Sequence, residues 1–519
     1  MKITENWSIT KPSVSSKGGG VVTSHHYEAS QIGIDVLKSG GNAIDAAVSM
    51  SLALGVIEPW MSGLGGCGYM LYYDSKTHQT HAIEFGVKSP KKLDLSKFVL
   101  SDQGKDNDLF GWPNVKDDKN IHGAYSMAVP GYIRGVSKAL KEFGSMTWKD
   151  IIEPACILSK RGLKADWYTT MRINLEAKLL SKYKSSKNIF FEDGLPIVSE
   201  DPTNLKSIKN SGLYNSYCLL RDEGPETFYT GELSKILVKD LREINSFINS
   251  DDLSDYKSKL TRSSKTVYRS SEVHVAPSLN AGPSLIDALN FIEKNWSPKN
   301  NKPDADAYEN YYKALNFSFE KRLNEMGESK ENSCTTHLSV IDKDGNMVAL
   351  TQTLLSVFGS RVILPESGIL MNNGIMWFDP RQGKPNSLSK DKKPLCNMCP
   401  TIVIHNSGKK IALGASGGRR IFPSVFQTIS FLLDYNMNLD DAFKTPRIDY
   451  SGENRILANE KLGKDIINNL SNYEKIIEIP DSVLSHSFAC PNAVMIDSMG
   501  NRYGNAYIPS PCSATISSE

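Results

Sequence analysis

The sequence predicts one α+β body in which two sheets stack on each other and helices cover their outer faces. Two observations predict it. Runs with helical periodicity fill most of the first two thirds of the 519 residues, and the last third changes to short alternating runs joined by tight turns. No internal repeat divides the chain.

Helices are expected over 29–38, 43–57, 131–143, 147–160, 232–244, 283–294 and 305–326, interrupted by polar loops at 101–122, 182–187 and 297–304. The run 43–57 is the most apolar, yet it contains Asp45, ends at Glu58-Pro59 and falls short of the ~20 residues a membrane span requires. It reads as a buried helix. Beyond residue 335 the strands come as hairpins: 337–341 with 347–353 around Lys343-Asp344-Gly345-Asn346, 401–404 with 410–414 around Asn406-Ser407-Gly408, and 493–496 with 501–504. Such short turns require antiparallel pairing. A further helix is expected over 423–435.

Composition works by exclusion. With 60 basic and 58 acidic residues the formal net charge is +2, which gives no electrostatic case for nucleic acid or an anionic membrane, so a small molecule is the expected partner. Residues 1–20 lack the apolar run of a secretory signal, which points to a cytoplasmic protein. The eight cysteines, Cys67, Cys156, Cys218, Cys334, Cys396, Cys399, Cys490 and Cys512, show no paired spacing, and reduced thiols are expected. Cys396-Asn397-Met398-Cys399 is a lone C-x-x-C without a second pair. His25-His26, and His78 with His81, lack metal-site context and read as surface or loop residues; no metal or organic cofactor is expected.

The most informative stretch is Cys334-Thr335-Thr336-His337, where a threonine stands between the polar lead-in 327–333 and the first residues of a hairpin. A threonine hydroxyl is a weak nucleophile and needs a base beside it. Cutting the chain before Thr335 would give that residue a free α-amine, whose reference pKa of roughly 7.7 to 8 leaves a neutral fraction able to accept the hydroxyl proton. Nucleophile and base would then share one residue. Taken alone, the window equally suits ordinary strand threonines. His337 is two residues along the same strand, nearly 7 Å away, and reads as structural, whereas Thr353 on the partner strand is placed to hydrogen-bond the Thr335 hydroxyl.

Two glycine motifs compete for attention. Gly63-Leu64-Gly65-Gly66-Cys67-Gly68 fits G-x-G-x-x-G, but a helix precedes it and a strand follows, the reverse of a dinucleotide site, so a tight helix-to-strand loop is expected. Gly414-Ala415-Ser416-Gly417-Gly418 fits the G-x-S-x-G elbow, which would make Ser416 the nucleophile, with Asp449 and His486 following in α/β-hydrolase order. Hairpin strands argue against that fold. The same turn suits a second use, because the backbone N–H groups of Gly417 and Gly418 can hold a developing oxyanion while their missing side chains admit a substrate carbonyl.

With these residues in view, the chain resembles the γ-glutamyltranspeptidase family of N-terminal nucleophile hydrolases over nearly its whole length. The matching blocks include Gly40-Gly41-Asn42-Ala43-Ile44-Asp45-Ala46-Ala47, Ser62-Gly63-Leu64-Gly65-Gly66, Val129-Pro130-Gly131, Gly224-Pro225-Glu226-Thr227-Phe228-Tyr229, Asp252-Leu253-Ser254-Asp255-Tyr256, Thr335-Thr336-His337, Gly368-Ile369-Leu370-Met371-Asn372-Asn373, Pro400-Thr401-Ile402-Val403 and Gly417-Gly418. The resemblance implies a four-layer αββα sandwich matured by autocleavage between Cys334 and Thr335. It yields a large piece, 1–334, and a small piece, 335–519, that stay associated, and it leaves homo-oligomers open. Thr335 would be the nucleophile, Thr353 its support, Gly417 and Gly418 the oxyanion hole, and Asn373 a substrate contact.

The positions that grip a γ-glutamyl group are altered. The family arginine aligns with Gly86, an asparagine with Leu355, an acidic residue with Trp377 and a serine pair with Cys396-Asn397. Losing a guanidinium and its opposing carboxylate removes several kcal/mol of glutamyl selectivity. Trp377 makes that region more apolar and suited to stacking. Arg361 and Arg419 stand where the usual pattern has small residues; each is a candidate for replacement anion recognition or a structural arginine. An amidohydrolase or acylase acting through an acyl-enzyme is therefore expected, beside three alternatives: a glutathione hydrolase or γ-glutamyltransferase, a Ser416 esterase, and a non-enzymatic binding protein on the same fold.

Overall fold

Two seven-stranded antiparallel sheets face each other in the computed structural model, which describes residues 11–105, 112–326, 334–452, 454–480, 487–507 and 509–518. In the first sheet the strands run Lys259–Arg262, Gln79–Phe85, Cys67–Asp74, Met347–Leu355, Cys334–Ile341, Val21–Ser24 and Ala514–Ser517. In the second they run Val14–Ser16, Arg502–Ala506, Cys490–Ile496, Lys410–Ser416, Thr401–His405, Ser271–Val275 and Ser264–Tyr268. All three expected hairpins are present and lie within these sheets. Each sheet takes strands from both sides of residue 335.

Side-chain alternation along each strand creates the layers. Leu338, Val340, Val348 and Leu350 point outward into a core with the helices Tyr27–Lys38, Ala43–Ile57, Tyr132–Phe143 and Trp148–Arg161. Ile341, Met347 and Ala349 point the other way and meet Ile402, Ala412 and Val494 of the second sheet. Beyond that sheet, Val273, Val403, Ile411 and Leu413 pack under the helices Gly282–Asn295, Ala305–Lys321 and Ile421–Leu433. The result is a four-layer αββα sandwich.

Helix Ala43–Ile57 is the expected buried helix, with all fifteen residues inside. Asn42 caps it by accepting from the N–H groups of Ile44 at 2.9 Å and Asp45 at 3.1 Å, while Asp45 Oδ2 accepts from the Asn42 N–H at 2.8 Å. A helix that is apolar all round needs neighbours all round, which the sheet and the surrounding helices supply. None of the helices among the described residues is long and apolar enough to cross a membrane.

Some elements depart from the sequence reading. Lys184–Phe190 is a helix where a polar loop was expected, held because the Ser186 hydroxyl donates to the Arg361 carbonyl at 2.7 Å and accepts from the Ile363 N–H at 3.0 Å. Ser211–Glu223 adds a helix, and Ser264–Tyr268 with Ser271–Val275 adds a hairpin in the region read as helix-rich. Both edge strands of the first sheet, Lys259–Arg262 and Ala514–Ser517, are short and have no buried residue, so period-2 patterning is weak in them. The lead-in 327–333 lies outside the described residues.

Contact between the sheets is close at one point. A Cβ at Gly414 would stand 2.3 Å from His337 Cε1 and 2.5 Å from Nδ1. The ring cannot retreat, because Nδ1 bonds Thr351 Oγ1 at 2.8 Å and Nε2 bonds Ser339 Oγ at 3.0 Å. Gly414→Ala should therefore destabilise the fold by about 1 to 3 kcal/mol through overpacking, read as a lower denaturant midpoint at an unchanged slope; an unchanged midpoint would show that the sheets can separate locally.

Candidate active site

Strand Cys334–Ile341 pairs with Met347–Leu355 in strict register from Ile341 opposite Met347 to Thr336 opposite Gln352. There the ladder slips. Cys334 pairs with Leu355, so Thr335 alone faces two residues, Thr353 and Leu354. Leu355 adopts a φ of 87°, a left-handed conformation that a branched side chain resists, and Thr353 Oγ1 accepts from the Leu355 N–H at 2.7 Å. The hydroxyl contact expected between Thr335 and Thr353 is not formed, because the extra residue moves Thr353 out of direct opposition. Thr335 is 1% exposed, and its Oγ1 has no hydrogen-bond partner among the described residues. Burying a hydroxyl that way costs roughly 1 to 3 kcal/mol.

The facing strand brings the glycine turn to the same end of the sandwich. Val21, paired with Ile341, approaches Gly504 beside Val494, which pairs with Ala412; four residues along the first strand and two along the facing one, His337 meets Gly414. Continuing in that direction, Thr335 comes level with the end of Lys410–Ser416. The chain then turns through Gly417, with φ 134°, and Gly418, with φ 65°, into helix Ile421–Leu433. A Cβ on Gly417 would stand 2.7 Å from the Ala489 Cα, so the backbone excludes any side chain there. Such a strand-to-helix turn aims N–H dipoles at one point.

A carboxyl that the sequence reading left unassigned closes this end. Glu58, at the C-terminus of helix Ala43–Ile57, is 2% exposed and accepts from the Thr336 hydroxyl at 3.2 Å. Burial raises its pKa to about 7, against the opposing pull of the Thr336 hydrogen bond and the Arg172 charge. An acidic residue ending the most apolar run of the chain was the available signal. The glycine loop after it packs on backbone: a Cβ on Gly66 would meet the Thr353 carbonyl at 2.5 Å, and one on Gly65 the Leu370 carbonyl at 2.4 Å. It is a tight helix-to-strand loop, braced by Gln352 Nε2 donating to Ser62 Oγ at 2.9 Å.

The histidine pair is buried. His25 and His26, expected as surface or loop residues, lie in the loop between strand Val21–Ser24 and helix Tyr27–Lys38 and are 4% and 7% exposed. His26 caps helix Tyr27–Lys38 by accepting from the Glu28 N–H at 3.2 Å, and His25, just past strand Val21–Ser24, lies 3.3 Å through Nε2 from Ser416 Oγ. Burial lowers the His25 pKa to about 4, assisted by the Lys11 charge, so the ring is neutral. His337 is driven well below its usual range by burial and serves packing.

Around Ser416 the geometry does not build an α/β-hydrolase elbow. Its strand has antiparallel neighbours on both sides. Asp449 is drawn to Arg420 at 3.7 Å and accepts from Ser451 at 2.8 Å, and His486 lies outside the described residues.

On the substrate side, Thr353 pairs with Cys67 and the next rung, Gly68 opposite Phe85, leaves Gly86 just past the end of the neighbouring strand, so a row leads across the first sheet from the slip at Thr335 to Gly86. Three strand spacings make that row about 14 Å long. At its far end a Cβ on Gly86 would meet the Tyr69 hydroxyl at 3.1 Å, and the Gly86 carbonyl accepts from Tyr256. Trp377 is buried in the cluster that also holds Cys67, Tyr69, Leu355 and Cys396. Burial pushes the Cys396 and Cys399 thiols up to about 12, which keeps both protonated. Arg361 is engaged: Nε reaches Glu176 at 3.1 Å, and Nη1 reaches Ser356 Oγ at 2.8 Å and the Gly359 carbonyl at 2.7 Å. Asn373 donates to the Ile121 carbonyl at 2.7 Å and accepts from the Ser356 N–H at 3.1 Å, fixing the loop after Leu355. Arg419 is buried directly after Gly418. Among the described residues there is no group of three His, Cys, Asp or Glu able to hold a metal ion.

The chain matches the family model described as Gamma-glutamyltranspeptidase over residues 29–334 and 323–504. It is 29% identical over 481 residues to the glutathione hydrolase proenzyme of Escherichia coli (strain K12), covering 82% of this chain and 80% of that protein. To the acylase ACY 1 proenzyme of Pseudomonas sp. (strain V22) it is 30% identical over 481 residues, covering 84% and 83%. Its fold superposes on the cephalosporin acylase from Bacillus halodurans with a TM-score of 0.84 at 20% identity, covering 99% of this chain and 98% of that one. The chain thus belongs to the gamma-glutamyltranspeptidase family and has the fold of the N-terminal nucleophile hydrolases.

Proposed function

We propose that the chain cuts itself before Thr335 and then hydrolyses amides as an amidohydrolase or acylase. One observation carries this reading: the Thr335 hydroxyl is buried at a ladder slip without a hydrogen-bond partner among the described residues, toward the end of the sandwich where Gly417 and Gly418 turn. In self-processing the hydroxyl oxygen adds to the Cys334 carbonyl carbon. The C–N bond then breaks, the Thr335 nitrogen keeps the electron pair and takes the hydroxyl proton, and water hydrolyses the resulting ester. This frees the Cys334 carboxyl and restores the Thr335 hydroxyl.

Catalysis repeats the chemistry on a substrate. The α-amine removes the hydroxyl proton as the oxygen attacks the amide, the Gly417 and Gly418 N–H groups hold the oxyanion, and the same proton passes to the departing amine. Water or an acceptor amine resolves the acyl-enzyme. Thr353 supports the nucleophile once the chain is cut and the slip relaxes. The pieces 1–334 and 335–519 stay together because Met347–Leu355 is laddered to Cys67–Asp74 along its length.

The acyl preference follows from the row that ends at Gly86. A γ-glutamyl group lying along it would meet Thr353, Cys67, the Tyr69 hydroxyl and the Trp377 cluster, without a guanidinium at the far end. A neutral acyl group suits that lining better. Asn373 acts by shaping the loop beside it, and Arg419 stands buried directly after the Gly417-Gly418 turn. The relatives' names, glutathione hydrolase and acylase, bracket the same choice.

Two outcomes are expected. On a denaturing gel the protein should give two bands corresponding to 1–334 and 335–519, and Thr335→Ala one inactive band; a Thr335→Ala chain that still hydrolyses amides would remove Thr335 as nucleophile. In a panel of amides, neutral acyl groups should react faster than γ-glutamyl ones. Gly86→Arg should raise kcat/KM for γ-glutamyl amides about ten- to hundredfold, the value of a charge-assisted pair, and a native preference for γ-glutamyl amides would reverse the acylase assignment.

A further inference from the structure

Glu58 takes no part in the proposed chemistry, yet its carboxyl is bonded to the residue that follows the nucleophile. We propose that Glu58 is a positioning residue, whose carboxylate, held against Thr336 at the head of the nucleophile strand, directs the α-amine freed at Thr335 and sets its proton affinity. The inference rests on Thr335 being that N-terminus.

Strand alternation carries the geometry. Thr335 and His337 turn their side chains toward the second sheet, where His337 meets Gly414, while Thr336 and Leu338 face the helix layer, where Thr336 meets Glu58. A nitrogen at the end of this strand lies in the sheet plane between the two faces, with its own hydroxyl on one side and Glu58 on the other. Nor can Glu58 swing away. Its N–H donates to the Leu54 carbonyl at 2.8 Å and its carbonyl accepts from Met61 at 2.9 Å and Ser62 at 3.3 Å, fixing it between a fully buried helix and the loop that touches Thr353.

The electrostatics point the same way. A helix C-terminus carries about half a negative charge, so the end of Ala43–Ile57 and the Glu58 carboxylate together favour a cation. The other groups acting on Glu58 are Arg172 and Tyr168 from helix Trp167–Leu175, and Cys512 from the C-terminal segment. Arg172 Nε donates to the Tyr168 hydroxyl at 3.1 Å, and burial pushes Cys512 up to about 12 and raises Tyr168. Near neutral pH, Arg172 and Glu58 are thus the charges in this group. Among the described residues no cation hydrogen-bonds the carboxyl before cleavage, and burial raises its pKa to about 7. Creating an α-ammonium beside it would favour the ionised form of both.

The sign of the effect is fixed. A carboxylate raises the amine pKa, and the amine must be neutral to act as base, so removing the charge lets activity persist to lower pH. An opposite charge at 4 to 6 Å moves a pKa by roughly one to three units. For the cleaved Glu58→Gln protein assayed with a neutral acyl amide, the acid limb of the kcat/KM profile should move down by about one pH unit. Glu58→Asp, with its charge withdrawn by one methylene, should move the limb less and in the same direction, and it serves alone if the glutamine variant does not mature. A cleaved, active variant whose acid limb coincides with that of the unmodified protein overturns the role of Glu58 and leaves Thr335 untouched. Activity in Thr335→Ala overturns the nucleophile instead.

Discussion

The slip in the ladder at Thr335 is the constraint on which the site depends. Six rungs, from Ile341 to Thr336, are locked because Leu338 and Val340 are buried on one face and Ile341 on the other, and a shift of one residue would exchange those faces. The irregularity cannot move along the strand. It collects at the open end, where Leu355 takes a left-handed φ and Thr353 closes the bulge with its own hydroxyl. An unpaired backbone at that point is what self-cleavage needs, since a scissile bond deep in a regular ladder would have no room to become tetrahedral.

Burial governs the proton chemistry around it. His25 and His337 are held neutral, the nearby thiols are held protonated, and Glu58 is pushed toward neutrality, all chiefly because a low-polarity interior penalises charge. In such surroundings an α-amine created by the proposed cleavage would have few competitors for the hydroxyl proton, and proton transfer would fall to that group.

The family and the fold are shared, while the proposed recognition surface rests on particular side chains. Leu355, Trp377 and Cys396 are buried together in one apolar cluster. Arg361, open from the sequence to anion recognition or a structural role, takes the structural one, paired with Glu176 and bonded to the Gly359 carbonyl.

Much of this was open to reading in the chain itself. Period-2 alternation and the turns at Gly345 and Gly408 determined the central hairpins, the apolar run closed by Asn42 and Asp45 determined helix Ala43–Ile57, and the order helix, glycines, strand excluded a dinucleotide loop. What only the tertiary structure decided was partnership. Nothing near His25 announces that it will lie against Ser416, nothing near Glu58 that it will bond Thr336, and nothing near Thr353 that its ladder will slip. The physical reason is range: periodicity and turn chemistry act over a few residues, whereas burial, and with it the charge state of a carboxyl or an imidazole, is set by neighbours that arrive from hundreds of residues away.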